Sequence, residues 1–243
     1  ARVDLFRGRL DAARRHGRTA AARCRAAGAR HAAAVAATSE VIALAFGGPA
    51  DEAGRAVDDL IAAATDVGAP SLQAMAQYCA AEVVIDDTER ATAHLNRAVA
   101  LARVAAADFF EGLAITTLAG LEVSAARPDA AFARLRDCID HWERSGLWKQ
   151  QWWLTLRRLI EALSAADQHV PVLTLAAAFA ASPTTGAAYG ADAERHAAAV
   201  DRACAASSSE QRLAAEHEGA GLDDEAALAY GRRVLDEILA GST

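Results

Sequence analysis

Asp137, Asp140, His141 and Glu143 form the one local cluster of carboxylates and imidazole in this chain. On a helix, Asp137 and His141 are four residues apart, share a face and can pair as ions. Acid–base catalysis from that pair needs a nucleophile or a metal within reach, and no residue at a defined spacing supplies one. The cluster reads as a surface or turn-capping group. Cys24, Cys79, Cys138 and Cys204 lie far apart, with neither a C-x-x-C pair nor a Cys/His spacing that suits zinc. The seven histidines are scattered without H-E-x-x-H, and G-x-S-x-G, S-x-x-K and G-x-x-x-x-G-K-[ST] all fail to match. No catalytic residue, metal ligand or cofactor is assigned, and enzymatic chemistry is not expected.

The unusual residues concentrate elsewhere. All four tryptophans fall between Trp142 and Leu163, in WERSGLWKQQWWLTLRRLIEAL, although aromatic residues make up only 5% of the chain. Trp148, Trp152, Leu156, Leu159 and Leu163 step by four, four, three and four, which makes one apolar stripe on a helix. Trp153 and Ile160 widen it, so the helix is expected to be buried on two sides and its tryptophans to fill core. Gln151, Thr155 and Arg158 form a separate polar stripe. Gln73 and Gln77, and then Thr116 beside Gly112, hold the analogous positions of earlier helices. Gln73, Gln77, Thr116, Gln151, Thr155 and Arg158 are the candidate binding residues, lining the concave groove of a helical array. Alanine at Arg158 or Gln151 leaves thermal stability nearly unchanged if these side chains face a groove, whereas collapse of folding would count against it.

The elements that hold these residues are helices. The chain has 243 residues, 53% of them hydrophobic and only five of them proline, which suffices for a large core with long uninterrupted helical windows. Alanine, abundant throughout, combines the best helix propensity with little bulk. Apolar spacing near 3.6 predicts helices over 9–27, 30–46, 51–67, 71–85, 89–104, 108–125, 128–144, 147–166, 170–181, 191–205, 209–218 and 222–239, with no strand pattern. Gly28, Gly47-Gly48-Pro49, Gly68 and Ser145-Gly146 supply stops, since glycine tolerates the left-handed C-cap. Asp87 or Thr88 is expected to cap the following helix, and Ser207 with Glu210 to form a capping box.

The stops repeat. Gly28, Gly68, Ala107 and Gly146 mark equivalent turns about 40 residues apart, one helical hairpin per repeat. Within the hairpins, GGPADEA, DDTERA and ARPDAA place a turn-former before Ala53, Ala91 and Ala131, whose small side chains let paired helices approach closely. The expected fold is all-α, a right-handed superhelix of tetratricopeptide-like hairpins over 1–182 with an irregular C-terminal helical cap over 183–243 packed on the array.

AGARHAAAVA and VGAPSLQAMA at repeat starts, HWERSGLWKQQWWLTLRRLIEAL, and the tail motifs ASPTTGAAYGADAERHAAAV and GAGLDDEAALAYGRRVL carry a resemblance. Together they resemble the C-terminal helical-repeat region of actinobacterial regulators of the LuxR, AfsR and maltose-activator types, which are signal-transduction ATPases. The resemblance covers nearly the whole chain and implies a sensor or partner-docking arm beside nucleotide-binding and DNA-binding domains of a longer parent. The near-exclusive use of arginine, with Lys149 as the one lysine, fits a high-GC bacterial genome.

The net charge of −7 and pI near 5.5 argue against a large nucleic-acid footprint, so no direct nucleic-acid contact is expected. No apolar run approaches the ~20 residues of a membrane span, and no signal-peptide core opens the chain, which leads to an expected cytoplasmic location. The abrupt, Met-less start suggests a segment of a longer polypeptide. The expected function is a noncatalytic interaction or effector-sensing module, taking a protein segment or small effector in its groove. A docking or oligomerisation scaffold without ligand, a possible homo-oligomer, is the alternative, ahead of an enzyme with a pocket of dispersed residues.

Overall fold

A computed structural model describes residues 1–146, 149–186 and 191–241, with every side chain among them except that of Phe6. These residues form thirteen helices and no strand. Two compact units divide the chain, 1–114 and 115–243.

The first unit holds α1 (Arg2–Phe6), α2 (Leu10–Ala26), α3 (Arg30–Gly47), α4 (Ala50–Val67), α5 (Pro70–Val83), α6 (Thr88–Val104) and the start of α7 (Asp108–Ser124). Neighbours in sequence are neighbours in space: α2 packs on α3, α4 on α3 and α5, and α5 on α6. Val41, Val57, Leu60, Leu72 and Met75 centre its core. Between them lie alanines, which hold the helices close. A Cβ on Gly17 of α2 would stand 2.8 Å from the Glu40 backbone nitrogen of α3, so glycine is needed at that approach.

The second unit holds the rest of α7, α8 (Pro128–Ser145), α9 (Lys149–Ala165), α10 (His169–Ala181), α11 (Ala191–Ala206), α12 (Ser209–Ala220) and α13 (Asp224–Gly241). Its hub is α9, which packs on α8, α10, α11 and α13. Twelve of the 17 residues of α9 are buried. Trp153, Leu156, Leu159, Ile160 and Leu163 are at most 1% exposed, as burial on two sides requires. The tryptophans at 142, 152 and 153 all fill core, while Trp148 lies outside the described residues.

The hairpin turns have the expected chemistry with one shift. Gly28, Gly68 and Gly146 take φ of 71°, 75° and 63°, the left-handed conformation that stops a helix. At the third of the four equivalent turns the left-handed residue is Ala106, at φ 48°, and not Ala107. Ala53, Ala91 and Ala131, which follow the turns inside the hairpins, are at most 3% exposed and allow the close pairing their size predicts. Asp87 caps α6 by accepting the Arg90 backbone N–H at 3.1 Å. The capping box of α12 sits one residue later than expected, at Ser208 and Gln211, because Ser208 is the residue in extended backbone. The five-residue α1 is too short to leave a period in the sequence.

Candidate functional site

The polar residues of unit 115–243 gather along α9. Position 155 of a helix otherwise apolar on that side carries a threonine, and its hydroxyl has two buried neighbours. The Trp142 indole N–H of α8 donates to Thr155 Oγ1 at 3.1 Å. Thr116 Oγ1 of α7 lies 3.3 Å from Thr155 Oγ1 and donates to Cys138 Sγ at 3.8 Å. Either hydroxyl can donate to the other. The four side chains form one buried hydrogen-bonded row from Trp142 through Thr155 and Thr116 to Cys138, in which each bond polarises the next. Burial pushes the Cys138 thiol up to about 12, so this sulfur is an acceptor and not a nucleophile.

Within one turn further along α9 the chemistry changes to charge. Arg158 reaches Glu161 at 3.0 Å and Asp192 of α11 at 2.9 Å, while Arg157 meets the other Asp192 oxygen at 3.1 Å. Arg195 of α11 closes the cluster against both Asp192 and Glu161. The Arg157, Arg158, Glu161 and Asp192 side chains are 13% exposed or less. Burial works to raise the Asp192 carboxyl, but the guanidinium groups of Arg158, Arg157 and Arg195 outweigh it and hold Asp192 below its ordinary value. Gly120 of α7 makes room for this arrangement, since a Cβ there would meet Arg158 Nε at 3.1 Å. His196, one turn along α11, stacks on Phe179 with ring centroids 5.0 Å apart. Burial, aided by Arg157, pushes its pKa down, so protonation of the imidazole is opposed.

The other side of α9 is pinned through Trp153. Its indole N–H lies 2.9 Å from Asp224 Oδ1 and 3.0 Å from Thr184 Oγ1. Ser182 and Thr184 also donate to Asp224, at 2.7 and 2.8 Å. Burial opposes ionisation of Asp224, yet these donors keep its carboxyl below the ordinary range. Asp224 opens α13, so one carboxylate fixes that helix and the chain after α10 to the hub.

The six candidate binding residues are divided between the units. In residues 1–114, Gln73 is half-buried and Gln77 is buried, with Gln77 Oε1 2.8 Å from His94 Nδ1. In residues 115–243, Thr116, Gln151, Thr155 and Arg158 fall on neighbouring faces of α7 and α9. Thr155 has no exposed surface, Thr116 only 1% and Gln151 6%. Gln151 Oε1 and the Trp152 indole nitrogen are buried without a hydrogen-bond partner. The acid and imidazole cluster is dispersed: Asp140 and Glu143 pair with Arg232 of α13, Asp140 also with Arg136, and Asp137 is exposed. His141 is buried edge-on to the Trp142 ring.

Asp192, Asp224, Ser182 and Thr184, with Glu161, Arg195 and Gly120, are site residues that the sequence pattern does not single out. Asp192 and Asp224 sit in the first turns of their helices, where an acid reads as a dipole partner. Among the described residues no group of three or more His, Cys, Asp or Glu side chains is placed to hold a metal ion, and no helix is long and apolar enough to cross a membrane. Comparison of the chain with family models, with curated proteins and with solved structures returns no match.

Proposed function

We propose that this chain is a noncatalytic helical-repeat module that senses an effector or docks a protein segment, as part of a bacterial transcriptional regulator or signal-transduction ATPase of the LuxR or AfsR type. The observation that carries the reading is the recurrence of left-handed turn residues at Gly28, Gly68, Ala106 and Gly146, about 40 residues apart. Buried Ala53, Ala91 and Ala131 at the other turns support it. Hairpins repeated this way suit a right-handed superhelix, whose first helices line a concave groove. In residues 1–114 the half-buried Gln73 is the contact offered to that groove. Gln77, Thr116, Gln151, Thr155 and Arg158, all enclosed or paired, set the helix spacing within their own units. The module needs no cofactor, and it hands the binding signal to adjoining domains of a cytoplasmic parent.

The test is a screen of pooled peptides and metabolites by intrinsic tryptophan fluorescence, with light scattering on the same samples. A saturable response that Gln73→Ala weakens at unchanged melting temperature supports the reading. Turnover of any pooled compound by the isolated chain overturns it. A mass that rises with protein concentration and no ligand response replaces it with an oligomerisation scaffold. The complete open reading frame tests the second half of the proposal, which requires a phosphate-binding loop or a DNA-reading helix in the same polypeptide.

A further inference from the structure

The net charge of −7 averages over two very different stretches. Nine of the 25 basic residues and only two of the 32 acidic ones fall within residues 1–30, so that stretch carries +7 and the remaining 213 residues carry −14. Folding does not neutralise the excess. Arg9 is spent on Asp4, and Arg14 and Arg18 on Glu52 and Glu40. Arg2, Arg7, Arg15, Arg23, Arg25 and Arg30 are all exposed, and none of them is ion-paired among the described residues. Asp11 is the only other acid of the stretch.

The helical geometry turns these arginines into a surface. Ala13, Gly17 and Ala21 are the buried line of α2 and pack toward α3. At 100° per residue, Arg15 and Arg23 lie opposite that line and Arg25 on its flank. Thr19, Ala22 and Ala26 lie among them, exposed and small. The next helix of the unit to meet Arg14 and Arg18, α4, has the opposite sign, with Asp51, Asp58, Asp59 and Asp66 exposed along one side. The positive face is therefore confined to α1 and α2 and bounded by a negative one.

We propose that this face is a nonspecific docking surface for the phosphate backbone of a nucleic acid. A protein partner of comparable stability would need an apolar interface core with charge excluded from it, and the outer arc of α2 offers no large apolar side chain. An amphipathic membrane anchor fails for the same reason. A phosphate backbone needs only guanidinium groups, which bind phosphate oxygens in pairs and release condensed counterions. The 17 residues of α2 span about 26 Å, roughly seven base pairs at 3.4 Å each. The three arginines of α2 without an acid partner, Arg15, Arg23 and Arg25, can then reach phosphates at once, and none is arranged to read a base. This role goes beyond the groove binding proposed above and stands or falls separately from it, because none of its residues belongs to that groove.

Fluorescence anisotropy of a labelled 20-base-pair duplex and a 20-nucleotide single strand, titrated with the intact chain across a potassium chloride series, decides the matter. Binding should weaken with salt at a log–log slope of roughly −3, as about three phosphate contacts require. The triple variant Arg15→Glu, Arg23→Glu, Arg25→Glu should lose at least tenfold in affinity, and the corresponding Gln triple an intermediate amount. Both should keep the wild-type circular dichroism melt. Exposed Arg55→Glu and Arg97→Glu should bind like wild type. Absence of binding at 20 mM salt, binding that the triple variants leave intact, or tighter binding to polyglutamate or to anionic phosphatidylserine vesicles than to the duplex would each overturn the proposal.

Discussion

The Trp142 indole N–H points at the Thr155 hydroxyl, 3.1 Å away, and both side chains have no exposed surface. The largest side chain of α8 therefore rests its indole N–H on a three-heavy-atom side chain of α9. Thr155→Val keeps shape and volume but removes the acceptor, and it also strips Thr116 of its neighbour. Leaving a buried donor unsatisfied costs about 1–3 kcal/mol. Thr155→Ser, which keeps the hydroxyl, should cost markedly less, and urea unfolding of the three proteins measures the difference. A Val variant as stable as the Ser variant would mean that this donor chain contributes nothing.

Asp192 holds α11 to α9 through Arg157 and Arg158, so its removal should be felt well away from the substituted residue. Asp192→Ala leaves guanidinium charge in an enclosed place with one carboxylate fewer, a loss of about 3 kcal/mol or more. Arg158→Met removes one of its partners, and the double variant should lose less than the two single variants summed, with a coupling of about 1–3 kcal/mol. Hydrogen exchange supplies the local readout: amides of α11 should exchange faster in Asp192→Ala while those of α5 and α6 do not change. The same Arg158 variant separates groove contact from packing, because a pure contact residue leaves the unfolding midpoint in place.

Much of this framework is legible in the sequence, and the part that is not has a physical reason. Gly28, Gly68 and Gly146 announce their turns because no other residue takes positive φ so cheaply. Ala106, Ala126 and Asp167 reach φ of 48°, 54° and 57° and announce nothing, since the helix-end backbone bonds from Ala107 to Ala102, Arg127 to Glu122 and Gln168 to Leu163 hold these exposed residues there whatever their side chain. The Trp153, Leu156, Ile160 and Leu163 pattern shows that α9 is buried on two sides, because burial is written along a helix at its own period. Which helices cover it is not written anywhere locally. Asp224 meets Trp153 from 71 residues away and Asp192 meets Arg157 from 35, and no spacing rule links them. The sequence also shows Ser207-Ser208-Ser209 without saying which one leaves the helix, hence the shift of one residue in the capping box.

Two half-buried histidines make stability depend on pH. Burial, reinforced by Arg90 and Arg97, holds His94 below 6.5, and burial with Arg157 does the same for His196. The unfolded chain then takes up protons near pH 6.5 that the folded chain refuses, so stability falls as pH drops through 6.5 and levels off below the folded values. Chemical denaturation between pH 8 and pH 5 should show the decline, and the His94→Gln, His196→Gln double variant should flatten it. Asp192 and Asp224 act lower on the scale. Their folded pKa values are depressed, so what they contribute is complete above the unfolded value near 3.9 and is lost only as pH falls beneath it. A decline that persists unchanged in the double variant would place its origin in other groups.

Gly219 and Gly54 look alike in sequence, each a glycine inside a helix, but they meet opposite surroundings. A Cβ on Gly219 of α12 would collide with the Thr174 carbonyl oxygen of α10 and lie 2.8 Å from the Ala177 methyl group. Backbone cannot yield there as a flexible side chain would, so Gly219→Ala must separate α12 from α10 or strain both, at a cost of about 1–3 kcal/mol or more. A Cβ on Gly54 of α4 meets nothing within 4 Å. Gly54→Ala therefore restricts the unfolded chain without crowding the folded one and should stabilise the protein by about 0.5–1 kcal/mol. Thermal melts of the two variants should move in opposite directions. Equal shifts of the same sign would show that helix propensity, and not the close crossing of α10 and α12, decides what these positions tolerate.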